Sequence, residues 1–186
     1  MIKTLSHFSE VPTLETDRLI LKPLNMYFLS KDYVNWLNDK EVNRYLESGG
    51  DYTLEKLNDY LEEVERNPKY FWAIILKETN KHIGNIKIDP IDLNHLFGEY
   101  GIMIGDRTTW GKGIGFEAST SVIDFCFNVL CLEKINLGLH RSNSKALRLY
   151  EKLGFKKSLN NFFEEKRKKQ IKDSFRMTIL NKQIIK

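Results

Sequence analysis

Cysteine and histidine are scarce in this chain. Cys126 and Cys131 are the only two cysteines among 186 residues, and the four histidines are scattered. A disulfide framework is excluded on count, and no spacing suits a metal site, so no metal is expected. Both cysteines fall on a predicted helix, where a separation of five residues points them in different directions; buried thiols are expected. Long apolar runs are lacking as well. None reaches membrane-spanning length and the first residues have no signal-peptide core, so the cytoplasm is the expected location and no membrane contact is foreseen. Charge of one sign is not abundant: the net value is +4, with much of the excess in KRKKQIK, Lys166 to Lys172. A solvated hairpin loop between two late strands is preferred for that run over a nucleic-acid patch. Repeats and Pro/Gly linkers are missing too, so residues 1–186 read as one domain long enough for a full hydrophobic core.

What the chain does contain is concentrated in WGKGIGFEA, Trp110 to Ala118. Gly111, Gly113 and Gly115 alternate there, after the apolar run GIMIG and before an amphipathic stretch. Glycine lacks a Cβ, so backbone N–H groups of such a loop can crowd around an anion. A helix starting at this point adds its unpaired amides and positive dipole end. A phosphate-bearing ligand follows, but not through the two familiar motifs. The nucleoside-triphosphate pattern fails because Gly105 to Gly111 is one residue too long and Gly113 replaces the magnesium-binding hydroxyl. The dinucleotide fingerprint fails because Phe116 stands at its third glycine. A glycine turn that merely starts a core helix is the alternative.

Periodicity and punctuation predict a strand over Leu14 to Leu24, helices over Phe28 to Asn38 and Thr53 to Arg66, and a hairpin of Tyr70 to Lys77 with His82 to Asp89. Phe97 to Ile104 is the next strand, Gly113 to Leu130 a long helix, and Lys134 to His140 another strand. Asn143 or Ser144 caps a helix over Ser144 to Leu153 that ends at Gly154, and Phe155 to Glu164 and Asp173 to Leu180 close the sheet. The result is a mixed α/β domain whose glycine loop joins a central strand to its helix.

Two blocks together resemble the GNAT superfamily of acetyl-CoA-dependent N-acetyltransferases, RimJ/RimL-like branch. Gly113 and Gly115 match its pyrophosphate loop, R/Q-x-x-G-x-G/A, while Trp110 departs from the Arg/Gln position. Asn143, Ala146, Tyr150, Gly154 and Phe155 match its later helix, N-x-x-[AS]-x-x-x-Y-x-x-x-G-F. LETDRLILKPL and WLNDKEVNRYLE resemble the branch's opening strand and first helical region, so the likeness covers nearly the whole chain. It implies a central, mostly antiparallel twisted sheet flanked by helices, with splayed central strands that bind acetyl-CoA as the acetyl donor. Diffuse basicity would help attract that anion.

Acetyl transfer needs a neutral amine, donors for the developing oxyanion and a proton for the departing thiolate. The resemblance implies that backbone atoms of Ile102, Met103 and Ile104 pair with the pantetheine, the Met103 amide being the candidate oxyanion donor. Trp110, Gly111, Lys112, Gly113, Ile114 and Gly115 would hold the pyrophosphate. Tyr150 would be the thiolate's proton donor, though by pattern alone it is a core aromatic, and Asn143 would bond the pantetheine or simply cap its helix. Glu99, at the start of the central strand, is the first choice for a base or amine-orienting carboxylate, with His140 in reserve; solvent-facing and structural roles are their alternatives.

Trp36, Tyr45 and Glu47, with Tyr33 and Glu99, fall where the family lines its acceptor site, although an ordinary amphipathic helix explains most of that spacing. The expected reaction is acetylation of a primary amine on a small molecule, with an amino-sugar nucleotide first and a protein N-terminus as the alternative. Arg44, Arg107 and Arg141 could meet the phosphates of such a nucleotide. A larger acyl group and a non-catalytic acetyl-CoA-binding module are the competing readings, and the chain is expected to be a monomer or homodimer.

Overall fold

The computed structural model describes residues 11–46, 50–67, 69–158 and 173–182. In chain order they form β1 (Leu14–Glu15), β2 (Leu19–Pro23), α1 (Lys31–Asn38), α2 (Leu54–Arg66), β3 (Tyr70–Leu76), β4 (Lys81–Asp92), β5 (Phe97–Ile104), α3 (Ile114–Asn128), β6 (Lys134–His140), α4 (Ser144–Leu153), β7 (Lys156–Lys157) and β8 (Ser174–Leu180). The strands make one sheet in the order β1-β2-β3-β4-β5-β6-β8-β7. Every neighbouring pair is antiparallel except β5 with β6. This is the helix-flanked, mostly antiparallel α/β sheet that the two sequence blocks imply.

Side chains alternate across the strands, and helices cover both faces. Trp72, Ile74, Ile86, Ile88 and Tyr100 pack with Ile114, Ala118, Val122 and Tyr150 of α3 and α4. Ala73 and Ile75 pack on the other face with Tyr33, Trp36, Leu37, Leu57 and Leu61 of α1 and α2. Burial on both faces explains why β3 reads as the near-continuous apolar run YFWAIIL. Side-chain caps start three of the helices: Ser30 accepts from the Tyr33 amide, Thr53 from Lys56 and Asn143 from Ala146. Gly154 ends α4 in the left-handed region at φ 97°, as its place after Leu153 predicts.

Several boundaries differ from expectation. Leu14 to Leu24 is two short strands, because Thr16 turns the chain by bonding the Leu19 amide through its hydroxyl at 3.0 Å. Phe28 to Asn38 is a 3₁₀ turn over Met26–Phe28 followed by α1, since Ser30 caps in an extended conformation and stops the first turn. Helix α3 ends at Asn128, so Cys131 lies beyond it, exposed and at φ 54°, while Cys126 is buried as expected. In the predicted strand Phe155 to Glu164, β7 covers Lys156–Lys157, and residues 159–172, with the basic run, lie outside the described residues.

The feature that positions a site is the contact between β5 and β6. They pair at Phe97 with Lys134, Gly98 with Ile135 and Glu99 with Asn136, and the pairing stops there. Beyond it β5 stays with β4 up to Ile104 opposite Gly84, while β6 stays with β8 up to His140 opposite Ser174. Among the described residues, each arm keeps its outer neighbour and leaves its inner edge without a strand partner.

Candidate active site

The gap between β5 and β6 opens toward the glycine loop. The Leu96 carbonyl accepts from the Glu133 amide at 2.7 Å, so by strand alternation the backbone groups of Tyr100, Ile102 and Ile104 turn toward β6. The Met103 carbonyl instead lies against Gly84 on β4. Its amide therefore faces β4, and the amides of β5 that face the gap belong to Ile102 and Ile104.

Two glycines of the loop hold left-handed conformations, Gly111 at φ 76° and Gly113 at φ 79°, which side chains rarely adopt. Among the described residues, nothing lies within 4 Å of the place where a Cβ of Gly111 would be. Gly113 is the N-cap of α3 and has no side chain to bond the first-turn amides. Ile114 anchors that turn in the core, and Leu149 of α4 comes within 3.4 Å of a Cβ built on Gly115. An open cradle, free first-turn amides and an unpaired strand edge fit the pyrophosphate and pantetheine of acetyl-CoA.

Arg18 and Glu117 brace this loop. Arg18 donates to the Lys112 carbonyl at 2.9 Å, and its backbone N–H and Nε donate to Glu117 at 2.9 Å and 2.6 Å. Thr16 adds a hydroxyl bond to Glu117 at 2.6 Å. Burial pulls the Glu117 carboxyl up, but these donors together hold it below its ordinary value. The Trp110 indole N–H donates to the Ile104 carbonyl at 2.9 Å, fixing the loop to the end of β5.

Tyr150 lies on α4 against Tyr100 and Phe155, with ring centroids 5.8 Å away in both cases. Burial pushes its phenol up to about 12, so it keeps its proton throughout the physiological range. The Asn143 side chain caps α4 through its oxygen, at 3.1 Å from the Ala146 amide, which leaves its amide nitrogen for other partners. Glu99 is buried and ion-paired with Arg176 of β8. Its carboxylate is therefore committed to a cation rather than free in solvent. The Arg176 guanidinium comes within 3.3 Å of where Gly138 would carry a Cβ, so that glycine makes room for it.

The α1–α2 segment touches both arms on the face opposite α3 and α4. Asp39 pairs with Arg107 at 3.2 Å beside the glycine loop, and the Tyr45 hydroxyl donates to the Ser142 carbonyl at 3.3 Å beyond β6. The Tyr45 ring lies 5.4 Å from that of His140. The Ser142 backbone N–H donates to His140 Nδ1 at 3.3 Å, and the Ser142 hydroxyl lies 2.8 Å from the same nitrogen. Tyr33 and Trp36 are buried around His82, and the Trp36 ring occupies the space where Gly105 lacks a side chain. They are mainly packing residues, although Trp36 also lines a cavity of about 280 Å³ with Ser30, Asp32, Lys81 and His82. Glu47 lies outside the described residues. Arg44 sits over the Tyr45 ring and Arg141 over Phe175, at 5.7 Å and 5.8 Å.

Sequence reasoning missed Arg18, Glu117 and Arg176. Their partners are 99 and 77 residues distant, and no local pattern announces them. His82 was missed too. Its Nε2 lies 2.9 Å from the Gly84 carbonyl and 3.0 Å from Asn85 Oδ1, and burial lowers its pKa. Among the described residues no cluster of potential metal ligands occurs and no helix is long and apolar enough to cross a membrane.

Comparison with known proteins agrees with this geometry. An uncharacterized N-acetyltransferase, p20, of Bacillus licheniformis is 29% identical over 180 residues, spanning 92% of this chain and 97% of its own. The Escherichia coli K12 spermidine N(1)-acetyltransferase is 34% identical over 70 residues, 37% of either chain. Among solved structures, the Vibrio cholerae spermidine N-acetyltransferase in complex with CoA and spermine superposes with a TM-score of 0.75 at 23% identity, over 92% of this chain and all (100%) of the other. The profile of the acetyltransferase (GNAT) domain matches residues 18–156, and the chain belongs to that family.

Proposed function

We propose that this GNAT acyltransferase moves the acetyl group of acetyl-CoA to the primary amine of a small, phosphate-bearing molecule, a nucleotide-linked amino sugar being the first choice. One observation carries the acetyl-CoA half of the reading: β5 and β6 part beyond Glu99 and Asn136, directly beside a left-handed glycine loop that opens an uncapped helix. When bound, acetyl-CoA supplies the activated acyl group. The gap-facing amides of Ile102 and Ile104 provide donors at the strand edge, taking over the role first assigned to Met103. The glycine loop, from Trp110 to Gly115, holds the phosphates. Asn143 offers its amide nitrogen to the pantetheine, and Tyr150 holds the proton for the leaving sulfur. Glu99, aligned by Arg176, orients the amine.

Charge supports the acceptor half. Glu99 and Asp39, whose partners lie on the two arms, are each matched by an arginine, and Arg44 and Arg141 add positive charge near Tyr45 and His140. Such a rim suits phosphate more than several ammonium groups. The likeness to spermidine acetyltransferases favours a polyamine as the second reading. The opening strand LETDRLILKPL is our reason for placing the chain in the RimJ/RimL-like branch.

Acetyl-CoA-dependent thiol release should be measured with nucleotide-linked amino sugars, spermidine and N-terminal peptides side by side. Highest kcat/KM on the nucleotide sugar is expected. Preference for spermidine, or turnover of peptides alone, overturns the acceptor, and tight CoA binding without thiol release from any amine leaves a binding module.

A further inference from the structure

The Trp110 side chain brings no charged or phosphate-bonding group to the loop, because its indole N–H is committed to the Ile104 carbonyl. Its ring has another use. Lys145 Nζ lies 5.4 Å from the indole centroid, and the Arg107 guanidinium lies 5.7 Å from it. Arg107 is balanced by Asp39, whereas among the described residues Lys145 has no carboxylate partner. Lys145 stands in the first turn of α4, whose first turn holds no acidic residue. A cation there opposes the helix dipole and gains nothing from its own helix. An aromatic face attracts an ammonium without neutralising it. An unneutralised charge is thus held across the open end of the gap, reaching from the β6–α4 arm to the β5–α3 arm.

We infer that Lys145, positioned by Trp110, is a phosphate-binding residue of the coenzyme site. The inference rests on the acetyl-CoA reading above. Its ligand is a phosphate of coenzyme A, either the pyrophosphate or the 3′-phosphate.

Calorimetric titration of the full chain with CoA and with dephospho-CoA tests it, using Lys145→Met, which keeps the aliphatic length. Lys134→Met is the control: its Nζ also lies over an aromatic ring, Phe97 at 5.6 Å, but at the far end of β6. Lys145→Met should weaken CoA about tenfold and flatten the salt dependence of binding, as loss of one charge-assisted contact does, while Lys134→Met should change neither. A loss kept with dephospho-CoA assigns the pyrophosphate, and one that vanishes assigns the 3′-phosphate. Trp36 and Trp72 are buried, so CoA-induced change in indole emission should report Trp110 and shrink in Lys145→Met. Equal CoA affinity and salt dependence in wild type and Lys145→Met overturn the inference. No CoA binding by the wild type overturns the acetyl-CoA reading, and this inference with it.

Discussion

Replacing each loop glycine by alanine separates backbone conformation from space. Among the described residues, Gly113 has only the Arg18 guanidinium near its missing Cβ, at 3.5 Å, and Gly111 has nothing within 4 Å, so neither alanine meets a steric obstacle there. The penalty lies in φ, +79° and +76°, and holding an alanine left-handed costs about 1–2 kcal/mol. Gly115 lies inside α3 without a positive φ, and its Cβ would make ordinary contact with Leu149 at 3.4 Å. Alanine there gains about 0.5–1 kcal/mol of helix propensity. Gly111→Ala and Gly113→Ala should therefore lower Tm by a few degrees, at roughly 2–4 °C per kcal/mol for a chain of this size, whereas Gly115→Ala should hold or raise it. CoA affinity should fall in all three: about five- to thirtyfold at 111 and 113, where the strain is relieved by turning amides out of the cradle, and at 115 because a methyl crowds the approach to α3. Differential scanning calorimetry and CoA titration on the same samples decide it. Unchanged Tm and unchanged affinity in both Gly111→Ala and Gly113→Ala would refute the cradle.

Tyr150→Phe should reduce kcat about a hundredfold while leaving CoA affinity intact. Because burial raises the Tyr150 phenol to about 12, its ionisation should not shape the pH–rate profile in the neutral range. An alkaline limb near the ordinary phenol value of about 10, absent from the variant, would refute that environment. Glu117→Gln should weaken the brace on Thr16 and Arg18 and lower stability by about 1 kcal/mol at neutral pH. The Glu117 pKa is lowered in the fold, so its contribution is present above the unfolded carboxylate value of about 4.3 and is lost as pH falls through the folded value. Denaturant titrations should show the difference between wild type and Glu117→Gln closing in acid, and a constant difference would refute the linkage.

Local signals were legible and distant ones were not. The spans of β5, β6 and α4 follow directly from Phe97 to Ile104, Lys134 to His140 and Ser144 to Leu153, because alternation, capping and Gly154 are written within a few residues. The break at Ser30 was missed because Phe28 to Asn38 carries a helical apolar pattern that a serine does not interrupt, though its side chain restarts the helix. Pairing across the sheet leaves no mark in sequence. Glu99 reads as a free carboxylate until Arg176, on another strand, is found beside it. The strand edge that Met103 presents is equally hidden, since it depends on which neighbour the Leu96 carbonyl meets.

On the proposed reading, the α1–α2 segment offers a route of contact between the acceptor and donor halves of the site. Its charged tie to the β5 arm is the Asp39–Arg107 pair, with side chains 32% and 52% exposed, the kind of contact that contributes about 0–1 kcal/mol and weakens with salt. Its tie to the β6 arm is Tyr45, which combines one hydroxyl bond with ring contact on His140, and an aromatic pair adds about 0.5–1.5 kcal/mol. Trp36, packed over Gly105, adds a buried apolar contact on the β5 side that salt does not weaken, so the segment is held to both arms and, of these contacts, only the Asp39–Arg107 pair is salt-sensitive. Arg107 also lies over Trp110, so the salt-sensitive tie ends on the ring that carries Lys145. If Lys145 moves from that ring to a bound phosphate, Arg107 is left as the ring's cation with Asp39 attached. Donor binding would then change the same cluster that holds the acceptor segment, by a route of direct contacts running Lys145, Trp110, Arg107, Asp39.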